Sequence, residues 1–331
     1  MSSLTSIPEL PDLPTPNYEY ITRMDRAKDV LVELEKYPIL EVDTEGTSLD
    51  PYRCKTTLVQ IGIPNMVYVF DVRDKLPDID IHGSIFKPLF TNNTSLKLLH
   101  NASYDMKVIK KQYGYYINNI YDTMIAEMLM YLGIQNSGFS LAKLVEKYLS
   151  VKMDKEPRGT FEVYDQEFTS RQLDYAARDV CIMDIIRTMQ IPRIKQYNLE
   201  EVLDLELKFI KPLSEMELNG IKLDVARWRI MMAEFEKELE SFKKDIEDKL
   251  QSTQDQLSLF DVPTVNIASP LQLKVALNKL GINIESTSSE ALERFSHHEI
   301  VSNILAYRKN SKLVSTYGEA LLDRINPETG R

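Results

Sequence analysis

The sequence predicts an α/β domain, a mixed sheet flanked by helices, followed by an all-α region. Three observations carry that expectation. Short apolar runs of strand length crowd the first third of the chain. Further along, such runs alternate with helical periodicity, the pattern of strands joined through helices. After Ile191-Pro192 strand signals almost vanish, and apolar residues recur at threes and fours.

Residues 1–17 carry Pro8, Pro11, Pro14 and Pro16 and read as an irregular lead-in. Tyr18–Ile21 reads as a strand and Met24–Glu35 as an amphipathic helix. Pro38–Thr44, Thr57–Ile63 and Met66–Val72 follow as strands, and their short separations favour antiparallel neighbours. Ser84–Phe90 reads as a short helix, Leu96–His100 as a strand, and Ser103–Tyr113 as a helix ended by Gly114. A last strand is expected over Tyr116–Ile120, then helices over Thr123–Tyr131, Ser140–Leu149 and Thr169–Met189. Residues 18–197 would form one domain of ordinary size, and residues 198–331 a helical region.

In that second region Glu200–Leu218 reads as a helix kinked or broken at Pro212 and closed by Gly220. Asp224 is placed to N-cap a long helix reaching Leu250. Its stripe Trp228, Met232, Phe235, Leu239, Phe242, Ile246 and Leu250 reads as packing surface rather than a site. Ser252–Val265 reads as a loop, and Pro270–Lys279, Ser289–Phe295 and an interrupted Glu299–Arg324 as helices.

Composition narrows the function. A length of 331 residues suits two domains, and 43% hydrophobic with 27% charged residues is ordinary for a globular protein. Cys54 and Cys181 stand far apart without a Cys or His at ligand spacing, which argues against disulfides and zinc and fits a reducing compartment. No apolar run approaches the ~20 residues of a membrane span, and no signal-peptide pattern opens the chain, so a cytoplasmic location is expected. The net charge of −10 does not advertise a phosphate binder, yet Val301–Tyr317 holds Arg308, Lys309 and Lys312 and no acid.

Acidic residues carry the candidate chemistry. Ile39, Leu40 and Val42 read as a short buried strand that Gly46 breaks, and Asp43 and Glu45 at its end lie two positions apart, so they project from one face. Side by side they repel unless a cation lies between them, and hard oxygen donors suit Mg²⁺ or Mn²⁺. A lone Asp-x-Glu is commonplace at a strand end, so the pair needs partners. Asp105, four residues after Asn101, opens a helix just past a strand, at the rim where neighbouring strands end. Tyr175 and Asp179 share a helix face at i and i+4. Four carboxylates gathered there could not all stay ionised without metal, and two ions ~3.5–4 Å apart serve phosphoryl displacement.

Asp43-x-Glu45, Asn101-x-x-x-Asp105 and Tyr175-x-x-x-Asp179 resemble, in order and spacing, the three motifs of the DEDD 3′–5′ exonucleases of the tyrosine subtype. The resemblance covers most of residues 18–190 and implies a ribonuclease H-like fold. It implies that Asp43 bridges two Mg²⁺ or Mn²⁺ ions, that Glu45 and Asp179 hold the first, and that Asp105 serves the second. Tyr175 would orient the attacking water, Leu49 would wedge against the terminal bases, and Asn101 would lie near the substrate phosphates. Leu49 serves equally well as a hydrophobic cover over its own loop.

Two branches compete for the substrate. Asp122-Thr-Met-Ile-Ala126 and Leu173–Asp179 also resemble ribonuclease D, an RNA-trimming enzyme. Beyond the nuclease motifs, Met216–Asp224, Asn266–Leu273 and Tyr307–Tyr317 resemble the start and thumb of family A DNA polymerases. That resemblance implies DNA as partner: a single-stranded 3′ end at the acidic site and duplex at the thumb, through Arg308, Lys309, Lys312, Ser315 and Thr316. Three basic residues on a helix are usually a solvated face, and the family resemblance favours DNA here. Asn326–Arg331 resembles the lead into the palm, so no palm or fingers and no polymerisation are expected of this chain. A non-catalytic primer–template holder is the third reading, disfavoured because unneutralised acids would repel phosphates.

Overall fold

The computed structural model describes residues 13–73, 85–131, 133–134, 138–153, 159–162, 164–251 and 265–331. Two compact units divide between Leu218 and Asn219.

The first unit is built on a six-stranded mixed sheet in the order β1-β4-β3-β2-β5-β6. Its strands are β1 Tyr18–Ile21, β2 Ile39–Gly46, β3 Thr56–Ile63, β4 Met66–Asp71, β5 Leu96–Leu99 and β6 Ile120–Asp122. As their short connections predict, β2, β3 and β4 pair antiparallel; β1 lies parallel to β4, and β2, β5 and β6 run parallel.

Helices cover both faces. On one face Leu40, Val42, Val59, Ile61 and Phe70 pack with Ala27, Val30 and Leu34 of α1 (Met24–Leu34). Met106 and Ile109 of α3 (Ala102–Tyr113) complete that core, beside Leu89 and Phe90 of α2 (Lys87–Thr91). On the other face Leu58, Val67 and Val69 meet Leu173, Ala176, Ala177 and Val180 of α6 (Ser170–Val180). Side chains alternate along a strand, and Asp43 pairs with Gln60 and Glu45 with Leu58. The two acids therefore project toward the α6 layer. Thr44 projects toward α3.

Four expectations need correction. The strand foreseen over Tyr116–Ile120 is instead β6, Ile120–Asp122. Tyr115, Tyr116 and Ile117 are buried as a connecting segment, and Asn119 turns the chain with φ 50° before pairing with β5 begins. The helix foreseen over Thr169–Met189 breaks at Cys181-Ile182 into α6 and α7 (Met183–Gln196). The break foreseen at Pro212 does not occur: α8 runs without interruption from Glu200 to Asn219. The carbonyl left without its N–H belongs to Lys208, an exposed residue. The helix expected from Ser84 begins, among the described residues, at Lys87.

α8 packs into the first unit through Leu203, Leu207 and Ile210. The expected domain boundary lay after residue 197. α4 (Thr123–Tyr131) and α5 (Leu141–Leu149) close the unit's remaining side. The loop foreseen over Ser252–Val265 lies almost wholly outside the described residues, as do residues 1–12 of the lead-in.

The second unit is helical: α9 Val225–Gln251, α10 Pro270–Lys279, α11 Ser289–Glu293, α12 Glu299–Tyr317 and α13 Glu319–Leu322. α9 and α12 run antiparallel. The indole of Trp228, at the start of α9, donates to the Tyr317 carbonyl (2.7 Å), and Lys249 near its end pairs with Glu299. Asp224 accepts the Arg227 N–H as the foreseen N-cap. Ile246, Leu250, Leu273, Leu277, Ile300 and Ile304 form this unit's core. Among the described residues, no helix is long and apolar enough to cross a membrane.

Candidate active site

The end of β2 sits where both helical layers can reach it. From the α6 layer come Asp43, Glu45 and Asp179, whose ligand oxygens lie within 4.8 Å of one another. Asp105 approaches from α3, nearly fully buried, where its Oδ1 accepts the Thr44 hydroxyl (2.6 Å). Tyr175, one turn before Asp179, faces the same cavity of about 290 Å³. The structure thus brings the five expected residues together, with Leu49 and Asn101 also on the wall.

Local sequence fixes each arm. A register shift follows Glu45, and Gly46 is needed there: a Cβ would lie 2.4 Å from the Cys54 sulfur. The Tyr104 hydroxyl donates to the Ser48 carbonyl (3.0 Å) and so anchors the loop that presents Leu49, which is 78% exposed. α6 begins with a capping box, Thr169 with Gln172, which sets the helix carrying Tyr175 and Asp179. Asn101 adopts the left-handed conformation, φ 65° and ψ 50°, at the start of α3. His100, beside it, meets the Thr123 hydroxyl at 2.9 Å.

The electrostatics are those of crowded acids. Burial, then the neighbouring Asp43, pushes the Asp105 pKa well above the usual carboxylate range. Burial and the carboxylates of Asp179 and Glu45 push Tyr175 upward, so its phenol keeps its proton at neutral pH. The donors are all carboxylate oxygens, a hard set that fits a divalent cation of the magnesium class.

Two residues before Asp43 on β2, burial raises Glu41 to about 7, while its Oε1 accepts the Asp184 N–H (2.7 Å). Groups with a raised folded pKa stabilise the fold below their unfolded pKa, and that stability is lost as pH rises through the folded value. Without divalent metal, the melting temperature is therefore expected to rise as pH falls from about 7 toward the ordinary glutamate value of 4.5. Differential scanning fluorimetry in chelator checks this, and a flat profile would contradict it.

Sequence reasoning missed several contributors. Thr44 lies between the two motif acids and carries Asp105. Tyr104, His100, Met124, Leu141 and Met183 line the cavity. Tyr104 and His100 lie within or beside the Asn101–Asp105 motif, whereas Leu141 has no sequence signal at all. In the second unit Lys309, Lys312, Ser315 and Thr316 are exposed on α12. Arg308, on the same helix, is half-buried and donates to the Thr287 carbonyl.

Comparison with known proteins bears on the family and the fold. A family model described as 3′–5′ exonuclease matches residues 18–189, and one described as DNA polymerase family A matches residues 236–331. DNA polymerase I of Borreliella burgdorferi is 28% identical over 98% of this chain, which spans 36% of that protein. The polymerase domain of Pol1 from M. smegmatis, solved with DNA primer-template and dNTP, superposes with a TM-score of 0.66 at 18% identity. That match covers 94% of this chain and 51% of that one. Escherichia coli RNase D superposes with a TM-score of 0.55 at 18% identity, over 91% of this chain and 77% of that one. The mixed sheet and these likenesses establish the ribonuclease H-like fold and the helical region after it. With its model matched over just more than half of its length, the chain belongs to the 3′–5′ exonuclease family.

Proposed function

We propose that this chain removes nucleotides from the 3′ end of a DNA strand by hydrolysis, as the proofreading part of a DNA polymerase I-type enzyme. The observation that carries this is the convergence of Asp43, Glu45 and Asp179 at the Asp105 and Tyr175 wall of one cavity. Two Mg²⁺ or Mn²⁺ ions are the proposed cofactors: Asp43, Glu45 and Asp179 would hold one, and Asp43 with Asp105 the other. Such ions stabilise the attacking and leaving oxygens of a phosphoryl displacement.

The chain's own residues do the positioning. The Tyr175 phenol, protonated, orients a water toward the phosphorus of the terminal phosphodiester. Water adds to phosphorus and gives up a proton, the bond to the preceding 3′ oxygen breaks as that oxygen takes up a proton, and a nucleoside 5′-monophosphate leaves a strand one residue shorter. Leu49 and Asn101 sit where a terminal base and its phosphate would be held. On α12, Lys309, Lys312, Ser315 and Thr316 offer a surface for duplex phosphates, binding without reading sequence.

A 5′-labelled single strand with Mg²⁺ should give a ladder descending one nucleotide at a time. Matched DNA and RNA strands test the substrate. A strong RNA preference would favour the ribonuclease D-like reading, which the superposition on RNase D motivates. Binding of primer–template without product in Mg²⁺ or Mn²⁺ would leave a non-catalytic holder.

Two further outcomes are expected. Tyr175→Phe keeps the ring that packs 6.0 Å from Phe161 and so keeps the fold. Its loss of the water's hydrogen bond should lower kcat about 10²-fold, with KM little changed. Divalent metal should raise the melting temperature at pH 7.5: a concentration ~100 times Kd contributes ~2.7 kcal/mol. The gain should vanish in Asp43→Asn, and its persistence there would remove the metal from this site.

A further inference from the structure

One carboxylate outside the acid cluster decides where two of the cavity's elements begin. Asp122 ends β6 and is 1% exposed. Its Oδ1 accepts the backbone N–H groups of Asn101 (3.1 Å), Met124 (2.8 Å) and Ile125 (3.2 Å). Its Oδ2 accepts that of Ala102 (2.7 Å). The first N–H groups of a helix have no partner inside it, and a negative charge there is favoured by the helix dipole. Asp122 supplies the missing acceptors to α4, which it precedes, and to α3 on the neighbouring strand's connection. Asn101 makes no side-chain cap for α3. The left-handed turn at Asn101 is therefore held through its backbone, from Asp122.

The consequence reaches the acids. Asp105 stands in the first turn of α3, so its direction follows from where that helix starts. Leu99 pairs with Asp122 across β5 and β6, which ties the helix start to the sheet. We propose that Asp122 is a positioning residue of the nuclease site: anchored at the start of α4 by the Met124 and Ile125 N–H groups, it holds Asn101 and α3, through the Asn101 and Ala102 N–H groups, in the register that brings Asp105 to Thr44 and toward Asp43. This rests on the nuclease reading above.

Asp122→Ser separates the two jobs. A serine N-cap still serves α4, and its shorter side chain forfeits the Asn101 and Ala102 contacts. Asp122→Asn is the companion, keeping the shape while turning one acceptor into a donor. Mn²⁺ affinity by calorimetry, kcat and KM on a labelled DNA strand, and thermal unfolding are measured for parent and variants. The control is Glu127→Gln, which disturbs a buried network with Lys147, Tyr148 and Gln190 away from the cavity.

Loss of an outer partner of a metal ligand typically costs 10–100-fold in metal affinity or activity. Asp122→Ser is expected to bind Mn²⁺ about tenfold or more weakly and to lose kcat at least as much, with KM little moved. Glu127→Gln should lose stability alone. Parental Mn²⁺ affinity and kcat in folded Asp122→Ser or Asp122→Asn would overturn the inference, as would equal weakening by Glu127→Gln. Should both Asp122 variants fail to fold, a purely structural role is assigned and the inference is withdrawn. A parent that neither binds Mn²⁺ nor shortens DNA overturns the nuclease reading itself.

Discussion

Asp43→Asn is expected to abolish 3′-end shortening, with a loss of at least about 10³-fold, or ~4 kcal/mol of transition-state stabilisation. The size follows from its place: it shares the oxygen cluster with Glu45 and Asp179, and it is the nearby charge that raises Asp105. Removing it takes a ligand from both proposed ions at once. Its effect on folding should have the opposite sign. In chelator the acids repel one another, so the substitution relieves repulsion and the melting temperature should hold or rise. A labelled-strand assay beside thermal unfolding in chelator gives both readings. Activity within tenfold of the parent would remove Asp43 from the mechanism, and a collapse in stability would make the lost activity uninformative.

Arg73→Met is expected to cost about 3–5 kcal/mol of stability, the usual result of breaking a buried ion pair from one side. Asp71 is fully buried at the end of β4, where the Arg73 guanidinium meets it through Nε (2.8 Å) and Nη2 (2.7 Å) and Tyr20 donates to it. Burial pushes the Asp71 pKa up, but Arg73 and Tyr20 outweigh it and hold the carboxyl below the usual range. A depressed acid contributes stability above its unfolded pKa, and loses it as pH falls through the folded value. Without Arg73, burial dominates and Asp71 prefers its proton, so the variant's deficit should shrink as pH is lowered from neutral. Arg73 also donates to the carbonyls of Tyr164 and Gln166 and lies over the Phe168 ring at 4.0 Å. That segment leads into α6, so activity should fall along with stability. Urea unfolding at pH 7 and pH 5 measures both parts, and a deficit under about 1 kcal/mol at neutral pH would show the pair to be dispensable.

Much of this molecule was legible where one segment contains its own cause. Period-two alternation put Asp43 and Glu45 on one face, and the helix repeat put Tyr175 with Asp179. Gly114, in the left-handed conformation, ends α3 as expected. The long helix α9 kept its predicted cap and its buried Met232, Ile246 and Leu250. Failures cluster where an interaction from elsewhere overrides local preference. The apolar run at Tyr115–Ile117 satisfies itself by burial in the core rather than by strand pairing. Pro212 stays within a continuous helix, and the carbonyl it leaves without a donor belongs to the exposed Lys208. Helical periodicity runs straight through Cys181-Ile182, so the break there leaves no local trace.

By itself, then, the sequence determined the order and type of most elements and which acids, with Tyr175, could share a site, because strand and helix periods are properties of consecutive residues. Only the tertiary structure decided that Thr44 would hold Asp105 from the opposite face of β2, and that Arg73 would tie the approach to α6. It alone decided that Asp122 would serve two helix starts at once. Each of these joins groups that lie on different elements, and buried polar atoms take whichever partner the packing of those elements brings within hydrogen-bond reach.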